Sequence, residues 1–491
     1  MYVGHVTNEL ATHEQAGAAA GLRARWQRVL TGAGDRLTAE RRATVDTVVE
    51  APAPVQPIDL TDDATVTEVL DLAERVGEVV LASGTAVTDT TTQIEFIAAT
   101  YGLSKCDIDV TYNSIRISAD RGPKLPPAST MRVVHYRSLD FTRLAAVDRL
   151  TRRIRRELVP PQEALKALDE ITSAPHPYPR WTATLGWALM AAGVAVLLNG
   201  GALIALLSFA TTMLIDRTNR ILNRRKLPFF FQHMAGGVIA ATPAVLVSTY
   251  VRSLHLDPAL IIAAGIAVLL AGLQLVGAVE DAITGAPITA SARMLEVVMM
   301  TGGIIAGIAL TLRVAEVFEA SVPIADMVST RDLTSLPLKL AAGAVTSAAF
   351  ALACYAERRA LAAAAFSGAA ATVAYLLVQH FGFGPIVASG GAATVVGLAG
   401  GLLARRSLTP PLVVAVAGIT PLLPGLRVYR GLYALLNDEL LEGLNQLSGA
   451  FAVGLALAAG VTLGEWMARD LRRPRIVRRI GDLRRPRFAA N

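Results

Sequence analysis

The sequence predicts an all-α membrane bundle of about ten transmembrane helices, preceded by a small cytoplasmic α+β domain. The composition is 53% hydrophobic and 18% charged, whereas a soluble chain has about 25% charged residues. Charges occur throughout residues 1–180, but from Trp181 onward long apolar runs alternate with short charged clusters. Most of these runs are close to the ~20 residues that cross a bilayer core, which indicates a soluble module followed by a membrane module.

The first 61 residues are predicted to be poorly ordered, because Ala51–Pro57 reads APAPVQP, a composition typical of linkers. Within this segment, Leu22–Leu30 has an apolar helical face flanked by arginines. Two interpretations remain open for it. It is either a basic amphipathic helix on an anionic membrane surface or a transient helix in a disordered tail.

Residues 62–174 predict the α+β domain. Apolar periodicity, with Gly84 and Gly102 as stop signals, predicts two helices that precede three short strands and two further helices. The predicted helices are Thr65–Ala82, Thr88–Tyr101, Phe141–Leu158 and Gln162–Ile171, and the strands lie near Val110–Tyr112, Ile115–Ile117 and Met131–Arg137. We expect Thr88 and Asp89 to cap the second helix.

Ten apolar runs follow, five in residues 175–330 and five in residues 331–470, before an arginine-rich tail at 471–491. They are Trp181–Leu198, Ala202–Ile215, Phe229–Val251, Pro258–Val279, Ala290–Leu312, Leu338–Tyr355, Ala360–Val378, Gly384–Ala404, Leu412–Leu436 and Leu447–Met467. The second run is short for a span unless its helix extends past Asp216.

The distribution of basic residues predicts a plasma-membrane protein with both termini in the cytoplasm. With alternating spans, the clusters at Arg217–Lys226, Arg358–Arg359 and Arg405–Arg406 all fall on the inner side, and so does the tail, while the acidic 318–336 loop falls outside. The net charge of +6 and the pI of about 9.5 are thereby explained by membrane orientation, and we expect no nucleic-acid partner.

The two sets of five runs resemble each other. Gly272 and Gly425 lie 153 residues apart, each in the fourth run of its set, and Gly307 and Gly460 have the same separation. Because each set has an odd number of spans, two such copies would be inverted. Inverted repeats are typical of secondary carriers, whose substrate site lies near the midplane at broken helices. Pro424 with Gly425 predicts such a break.

Three motifs resemble the threonine/serine exporter family: RVGEVVLASGTAVTDTTTQI at Arg75–Ile94, VGAVEDAITGAPITASARMLE at Val276–Glu296, and LPGLRVY at Leu423–Tyr429. The resemblance covers roughly Val66–Met467. It implies export of threonine and serine from the cytoplasm, driven by an ion gradient, with H⁺ as the expected ion. One departure is Ala271, which stands where some relatives carry proline.

The predicted substrate-binding set combines a polar face of the second run, the two Gly motifs and the acids that end the fourth run. Its members are Ser208, Thr211, Thr212, Asp216, Gly272, Gln274, Glu280, Asp281, Pro424, Gly425 and Arg427. The free N–H groups of broken helices suit a carboxylate, acids suit an ammonium group, and hydroxyls suit a hydroxyl side chain. Each also has a structural interpretation: hydroxyls join helices, boundary acids are solvated, and Arg427 forms a rim ion pair.

The alternative hypothesis is a membrane-bound enzyme or sensor whose soluble domain carries the activity, with Arg75, Glu78, Ser83 and Asp89 as its candidate residues. No reactive arrangement, Walker motif or metal-ligand pattern supports it, so we expect no catalytic residues, no cofactor and no metal. The lipid bilayer is the expected surrounding, and a homo-oligomer is compatible with the sequence.

Overall fold

A computed structural model describes residues 57–135, 139–250, 258–269, 272–317, 336–407, 410–436 and 438–472 of the chain. These residues form mostly helices, together with one three-stranded antiparallel sheet near the N-terminus. The predicted amphipathic segment at Leu22–Leu30, the 318–335 loop and the tail beyond residue 472 lie outside the described residues.

The sheet and the first four helices form what we call the N-terminal α+β region (residues 57–174). Its elements are α1 (Asp63–Ala82), α2 (Val87–Thr100), β1 (Cys106–Val110), β2 (Ser114–Ala119), β3 (Ala128–Val133), α3 (Phe141–Glu157) and α4 (Pro161–Ser173). Their number and order are those that the sequence predicts.

Helix α1 is central to this region. The Asp62 carboxylate accepts the Ala64 N–H at 3.1 Å and caps the helix, and Gly84, with φ of +84°, follows its end in the left-handed conformation that favours glycine. The buried face recurs at helical spacing and consists of Val66, Val69, Ala73, Val76 and Val80. This face packs α1 against α2 and the sheet.

The sheet is a meander in the order β1-β2-β3, with β2 in the centre. Ile115 and Ile117 of β2 are buried and face the helices. The prediction of the third strand was wrong in its limits: pairing begins at Ala128, opposite Ala119, and ends at Val133. The strand starts directly after two prolines, Pro126 and Pro127, which have no N–H to donate to a ladder.

Twelve helices follow the N-terminal α+β region in the described residues. They are α5 (Arg180–Leu197), α6 (Ala202–Arg224), α7 (Phe229–Tyr250), α8 (Pro258–Ile266), α9 (Gly272–Ile283), α10 (Pro287–Val317), α11 (Leu336–Ala353), α12 (Arg358–His380), α13 (Pro385–Ser407), α14 (Pro411–Ile419), α15 (Gly425–Leu436) and α16 (Leu440–Arg472). Helix α6 continues past Asp216, as a membrane span in that position requires.

Seven of the described helices are long and apolar enough to cross a membrane: α5, α7, α10, α11, α12, α13 and α16. The count rises to eight if α14 and α15 form one bent span. The chain is therefore a multi-pass membrane protein. Helix α6 is not among the seven, and its second half carries Asp216, Arg217 and Arg220. The ten-span count stays a prediction.

Two of the predicted spans are interrupted. Helix α14 ends at Ile419, a 3₁₀ turn covers Thr420–Leu422, and α15 begins at Gly425 with a bend of 47°. In the first half, α8 ends at Ile266 and α9 begins at Gly272. The interruption between α14 and α15 lies at the predicted proline, Pro424, whose ring cannot continue a helix.

The helix pairs of the two halves correspond. In the first half α5 packs on α6, α6 on α7 and α8, and α7 on α8 and α10; in the second, α11 packs on α12, α12 on α13 and α14, and α13 on α14 and α16. Across the halves, α9 packs on α16 and α15 packs on α10. Five helix pairs of one half therefore have counterparts in the other among the described residues, and the repeat itself stays a prediction.

Glycines permit the closest helix contacts. A Cβ on Gly307 of α10 would overlap the carbonyl oxygen of Met234 on α7, whereas a Cβ on Gly302 of the same helix would meet nothing within 4 Å. We predict that Gly307→Ala lowers the free energy of unfolding by about 1–3 kcal/mol through overpacking. Gly302→Ala is the matched control, and alanine is the better helix former.

The measurement is unfolding of the purified protein by SDS titration in mixed micelles. Equal stability of the two alanine variants would contradict the α7–α10 packing.

Candidate functional site

The two helix breaks lie next to each other. A Cβ on Gly272 would be 2.9 Å from Leu423 Cβ and 3.2 Å from the backbone nitrogen of Gly425, so only glycine allows this approach. Gly272 begins α9 and Gly425 begins α15. The N-terminal ends of two half-helices therefore meet, and such ends carry partial positive charge and favour anions.

The other predicted residues near this junction are Gln274, Pro424 and Arg427. Gln274 is half-buried two residues into α9. Pro424 is buried, and its carbonyl accepts the N–H groups of Arg427 and Val428 at 3.0 and 3.2 Å, which starts α15. The Arg427 guanidinium lies against α16, since a Cβ on Gly449 would be 3.2 Å from its Nη1.

The predicted polar face of the second span lies on α6. Ser208, Thr211 and Thr212 are buried. The Ser208 hydroxyl donates to the Ile204 carbonyl at 2.8 Å, one turn earlier in the helix. Thr212 is 0% exposed, and its Oγ1 has no hydrogen-bond partner in the described part of the chain. An unmet hydroxyl in that position is a group that a polar ligand could satisfy.

Asp216 on the same face has a local role. Its carboxylate accepts the Thr184 hydroxyl of α5 at 2.7 Å and pairs with Arg220, one turn further along α6, at 2.9 Å. This carboxylate therefore already has hydrogen-bonded partners from two helices. Its predicted role towards an ammonium group stays a prediction.

A buried ion pair lies where α9 ends and α10 begins. Asp281 Oδ2 is 3.0 Å from Arg293 Nη1, and the two side chains are 0% and 3% exposed. Asp281 is on the last turns of α9 and Arg293 is on the second turn of α10. Charges buried to this degree need both a partner and hydrogen bonds.

Those hydrogen bonds come from the N-terminal α+β region. The Val87 N–H donates to Asp281 Oδ1 at 3.0 Å, and Arg293 Nη2 donates to the Thr85 carbonyl at 3.2 Å. The predicted cap by Thr88 and Asp89 was wrong: α2 begins one residue earlier, after Ala86, which makes no side-chain cap. Asp281 supplies an anion at the helix N-terminus instead.

A second group of acids lies beside this pair. Glu280 is half-buried on α9, and Asp89 of α2, Glu465 of α16 and Asp281 all act on it electrostatically. Acidic groups from three elements thus act on Glu280, and the Arg293 guanidinium opposes them. Acids grouped in this way attract a cation, whether a proton or an ammonium group.

The N-terminal α+β region also contacts the turn between α11 and α12. The Phe141 N–H donates to the Cys354 carbonyl at 2.9 Å, and Arg149 pairs with Glu357 at 2.8 Å. His176 stacks on Tyr355 with ring centroids 4.2 Å apart. The region is thus joined to the membrane helices at two separate places, one for each half.

Two family models match the chain. One, described as "Putative threonine/serine exporter", covers residues 71–315, and the other, described as "Threonine/Serine exporter, ThrE", covers residues 339–467. A protein of Corynebacterium glutamicum named "Threonine/serine exporter" is 44% identical over 88% of this chain and 90% of its own length. The chain belongs to the threonine/serine exporter family.

A second relative, from Mycobacterium tuberculosis and named "Probable threonine/serine exporter", is 41% identical over 86% of this chain and 80% of its own length. No solved structure matches the chain. The gap between the two family models falls between α10 and α11. Relatives in this family are named as exporters, not as enzymes.

Three of the four candidate residues of the enzyme hypothesis have structural partners, and the fourth, Asp89, acts on Glu280. Arg75 pairs with Asp169 of α4, Glu78 pairs with Arg132 of β3 at 3.2 Å, and the Ser83 hydroxyl donates to its own helix. Burial raises the pKa of the Cys106 thiol to about 11, so this thiol is protonated at neutral pH and is a poor nucleophile. The three partnered residues have structural roles in this exporter-family chain.

Sequence reasoning missed Arg293. The residue lies inside the quoted ITASARMLE motif, in a helix of 31 residues with a mostly apolar sequence. An arginine in a membrane helix needs an acid or carbonyls nearby, and that rule alone would have singled it out. The contribution of Thr85 and Val87 had no sequence signal, because their backbone atoms form the contacts.

The ion pair generates a prediction about stability. Asp281→Asn leaves the Arg293 charge buried without its counter-charge, so we expect a loss of about 3–5 kcal/mol in the free energy of unfolding. The matched control is Glu316→Gln, because Glu316 is 59% exposed and its partner Arg313 is 81% exposed, so we expect a cost of about 0–1 kcal/mol.

A double-mutant cycle checks the pairing. The variant with both Asp281→Asn and Arg293→Gln should lose less stability than the two single variants together, because neither buried charge remains. Additive losses in the same SDS titration would show that the two residues do not interact.

Proposed function

We propose that this chain is a secondary active transporter that exports threonine and serine across the plasma membrane. The observation that carries the proposal is the match to named threonine/serine exporters over most of the chain, through both membrane halves. The buried polar groups support it, since they lie mainly in the membrane half and at its contact with α2. The enzyme or sensor hypothesis is not favoured.

Ten spans with both termini in the cytoplasm form the proposed topology. In it, the α9–α10 turn and the α11–α12 turn both face the cytoplasm, as does the N-terminal α+β region. The contacts support this arrangement, since the region reaches the ion pair beside the first turn and Cys354 and Glu357 at the second. A region that contacts both turns requires them on one side of the membrane.

The two membrane halves are proposed to be inverted copies, residues 175–330 and 331–470, between the α+β domain at 62–174 and the tail at 471–491. The corresponding helix pairs support the repeat. So do the glycines: Gly307 contacts the third helix of its half at Met234, and Gly460 contacts the third helix of the other half at Gly390.

The proposed substrate path runs from the acids at the end of α9 to the junction of Gly272 and Gly425. The N-terminal ends of α9 and α15 suit the substrate carboxylate, with Gln274, Pro424 and Arg427 beside them. The ammonium group is assigned to Glu280 or Asp281. The hydroxyl is assigned to the α6 face, where Thr212 is buried without a hydrogen-bond partner in the described residues.

We assign the coupling ion as H⁺, and Glu280 is the candidate carrier of the proton because it is half-buried on α9, where three other acids disfavour its charge and Arg293 favours it. A carboxyl in such surroundings gains and loses a proton when a neighbouring charge arrives or leaves.

The direct test uses everted membrane vesicles that contain the chain. Respiration pumps protons into the lumen of these vesicles. We expect accumulation of labelled threonine and serine, and its loss when an uncoupler is added. Vesicles without the chain are the control. Chromatography of the label identifies whether threonine has moved unchanged. Label recovered as another compound would favour an enzyme, and accumulation that survives the uncoupler would exclude proton coupling.

A second prediction tests the hydroxyl site. Thr212→Val keeps the shape of the side chain and removes the hydroxyl, so we expect the affinity for threonine to fall by about five- to 150-fold, which is the loss of one buried hydrogen bond. Transport of 2-aminobutyrate, which has no hydroxyl, should change little.

Thr242→Val is the matched control, because the Thr242 hydroxyl is exposed and donates to Val238 of its own helix at 2.8 Å. Equal effects of Thr212→Val on both substrates, in correctly inserted protein, would remove Thr212 from the site.

A further inference from the structure

The segment Ser83–Val87, which we call the docking loop, fills the position between α1 and α2 that faces the ion pair. All its residues except Gly84 are buried. It offers one donor and one acceptor to the pair: the Val87 N–H binds Asp281 at 3.0 Å, and the Thr85 carbonyl binds Arg293 at 3.2 Å. The donor is at the N-terminus of α2, where the helix carries partial positive charge.

An α-amino acid offers the same two groups at full charge. Its ammonium group is a donor that suits the Asp281 carboxylate, and its carboxylate is an acceptor that suits the Arg293 guanidinium. The polarity of the docking loop therefore matches that of a zwitterion bound at the same pair. A neutral or singly charged ligand would satisfy only one of the two side chains.

The docking loop also contains a threonine, Thr85, which has the same side chain as one of the proposed substrates. Thr85 is 4% exposed, and its hydroxyl has no hydrogen-bond partner in the described residues. A buried hydroxyl without a partner weakens the docked state. The polar contacts of the loop with the ion pair are its two backbone hydrogen bonds, and a hydrogen bond of this kind is one that a competing ligand can replace.

The rest of the N-terminal α+β region has its own attachment. Contacts of Phe141, Arg149 and His176 with the α11–α12 turn do not involve the docking loop. The loop can leave the ion pair while the region stays joined to the membrane helices. Because the loop is part of the same chain, its effective concentration at the ion pair is high, and it binds there again when the pair is free.

From these contacts we infer that the docking loop is an internal mimic of the substrate: it occupies the Asp281–Arg293 pair in place of the ammonium and carboxylate of a cytoplasmic amino acid. The inference rests on the proposed function and adds Arg293 to the binding residues. Loading then requires the amino acid to displace the loop. Because the loop competes, loading becomes efficient only when the amino acid is abundant, which suits a protein that removes an excess.

Hydrogen exchange of the full-length protein in lipid nanodiscs tests the competition without a mutation. With threonine at about ten times the Kd of the open-loop state, the ratio of open to closed loop should rise about tenfold, so the amide of Val87 should exchange about tenfold faster. The Phe141 amide, at the separate joint, is the internal control and should not change. Slower or unchanged exchange at Val87, while threonine is bound, would overturn the inference.

A proline variant tests the same contact. Val87 is the first residue of α2, where proline is well accepted, and Ala86 before it has φ of −60° and ψ of 149°, which proline also permits. Val87→Pro therefore removes the N–H that binds Asp281 and keeps the helix. Val87→Ala is the matched comparison, because it shortens the side chain and retains the N–H.

We expect Val87→Pro to bind threonine about tenfold more tightly than Val87→Ala does, since the competing hydrogen bond to a charged group is gone. Isothermal titration of the folded variants measures the ratio. Equal or weaker binding by Val87→Pro would overturn the inference.

Threonine counterflow by the wild-type protein in proteoliposomes distinguishes a failure of this inference from a failure of the proposed function. If counterflow occurs but the loop does not respond to threonine, the inference alone fails. If no counterflow or threonine binding occurs at all, the proposed function fails, and the inference fails with it.

Discussion

The attachment of the docking loop to the membrane helices depends on one buried ion pair. Asp281 and Arg293 are withdrawn from water almost completely, and neither charge is tolerated there alone. Their mutual contact leaves further hydrogen-bonding capacity, and the region supplies a backbone donor and a backbone acceptor for it. The α9–α10 hairpin and the start of α2 are therefore fixed by the same requirement.

This arrangement connects the N-terminal α+β region directly to helix α9. Helix α9 begins at the glycine junction and ends at the ion pair, with a length of 12 residues, or about 18 Å. A short rigid helix transmits a displacement at one end to the other. A displacement of Asp281 by the N-terminal α+β region would therefore displace Gly272. Because Gly272 contacts Leu423, it would also reach the other half.

Local sequence patterns predicted most of the elements. Apolar spacing, Gly84 and the prolines placed the helices of the N-terminal α+β region to within a few residues, because these signals act within one turn. The break at Pro424 followed from proline chemistry in the same way. The pairing of Asp281 with Arg293 did not follow, although both lay in one quoted motif, because it depends on how the hairpin closes.

The contact between Val87 and Asp281 joins residues 194 positions apart. Because the donor is a backbone N–H, no pattern of side chains could predict this contact. Asp216 shows the opposite difficulty. Its spacing with Ser208 and Thr212 was correct, and all three lie on α6, yet the carboxylate is held by Thr184 and Arg220. A shared helical face predicts proximity, and the partner on the next helix decides the role.

The contact of Gly272 with Gly425 has a consequence for how the two halves can change in evolution. Gly272 leaves room for Leu423 and Gly425 of the other half, so a side chain gained at position 272 would have to be accommodated by both halves. Two halves that make no such contact are free to diverge independently. Here the junction ties them together, and we expect changes on one side of it to be accepted only alongside changes on the other.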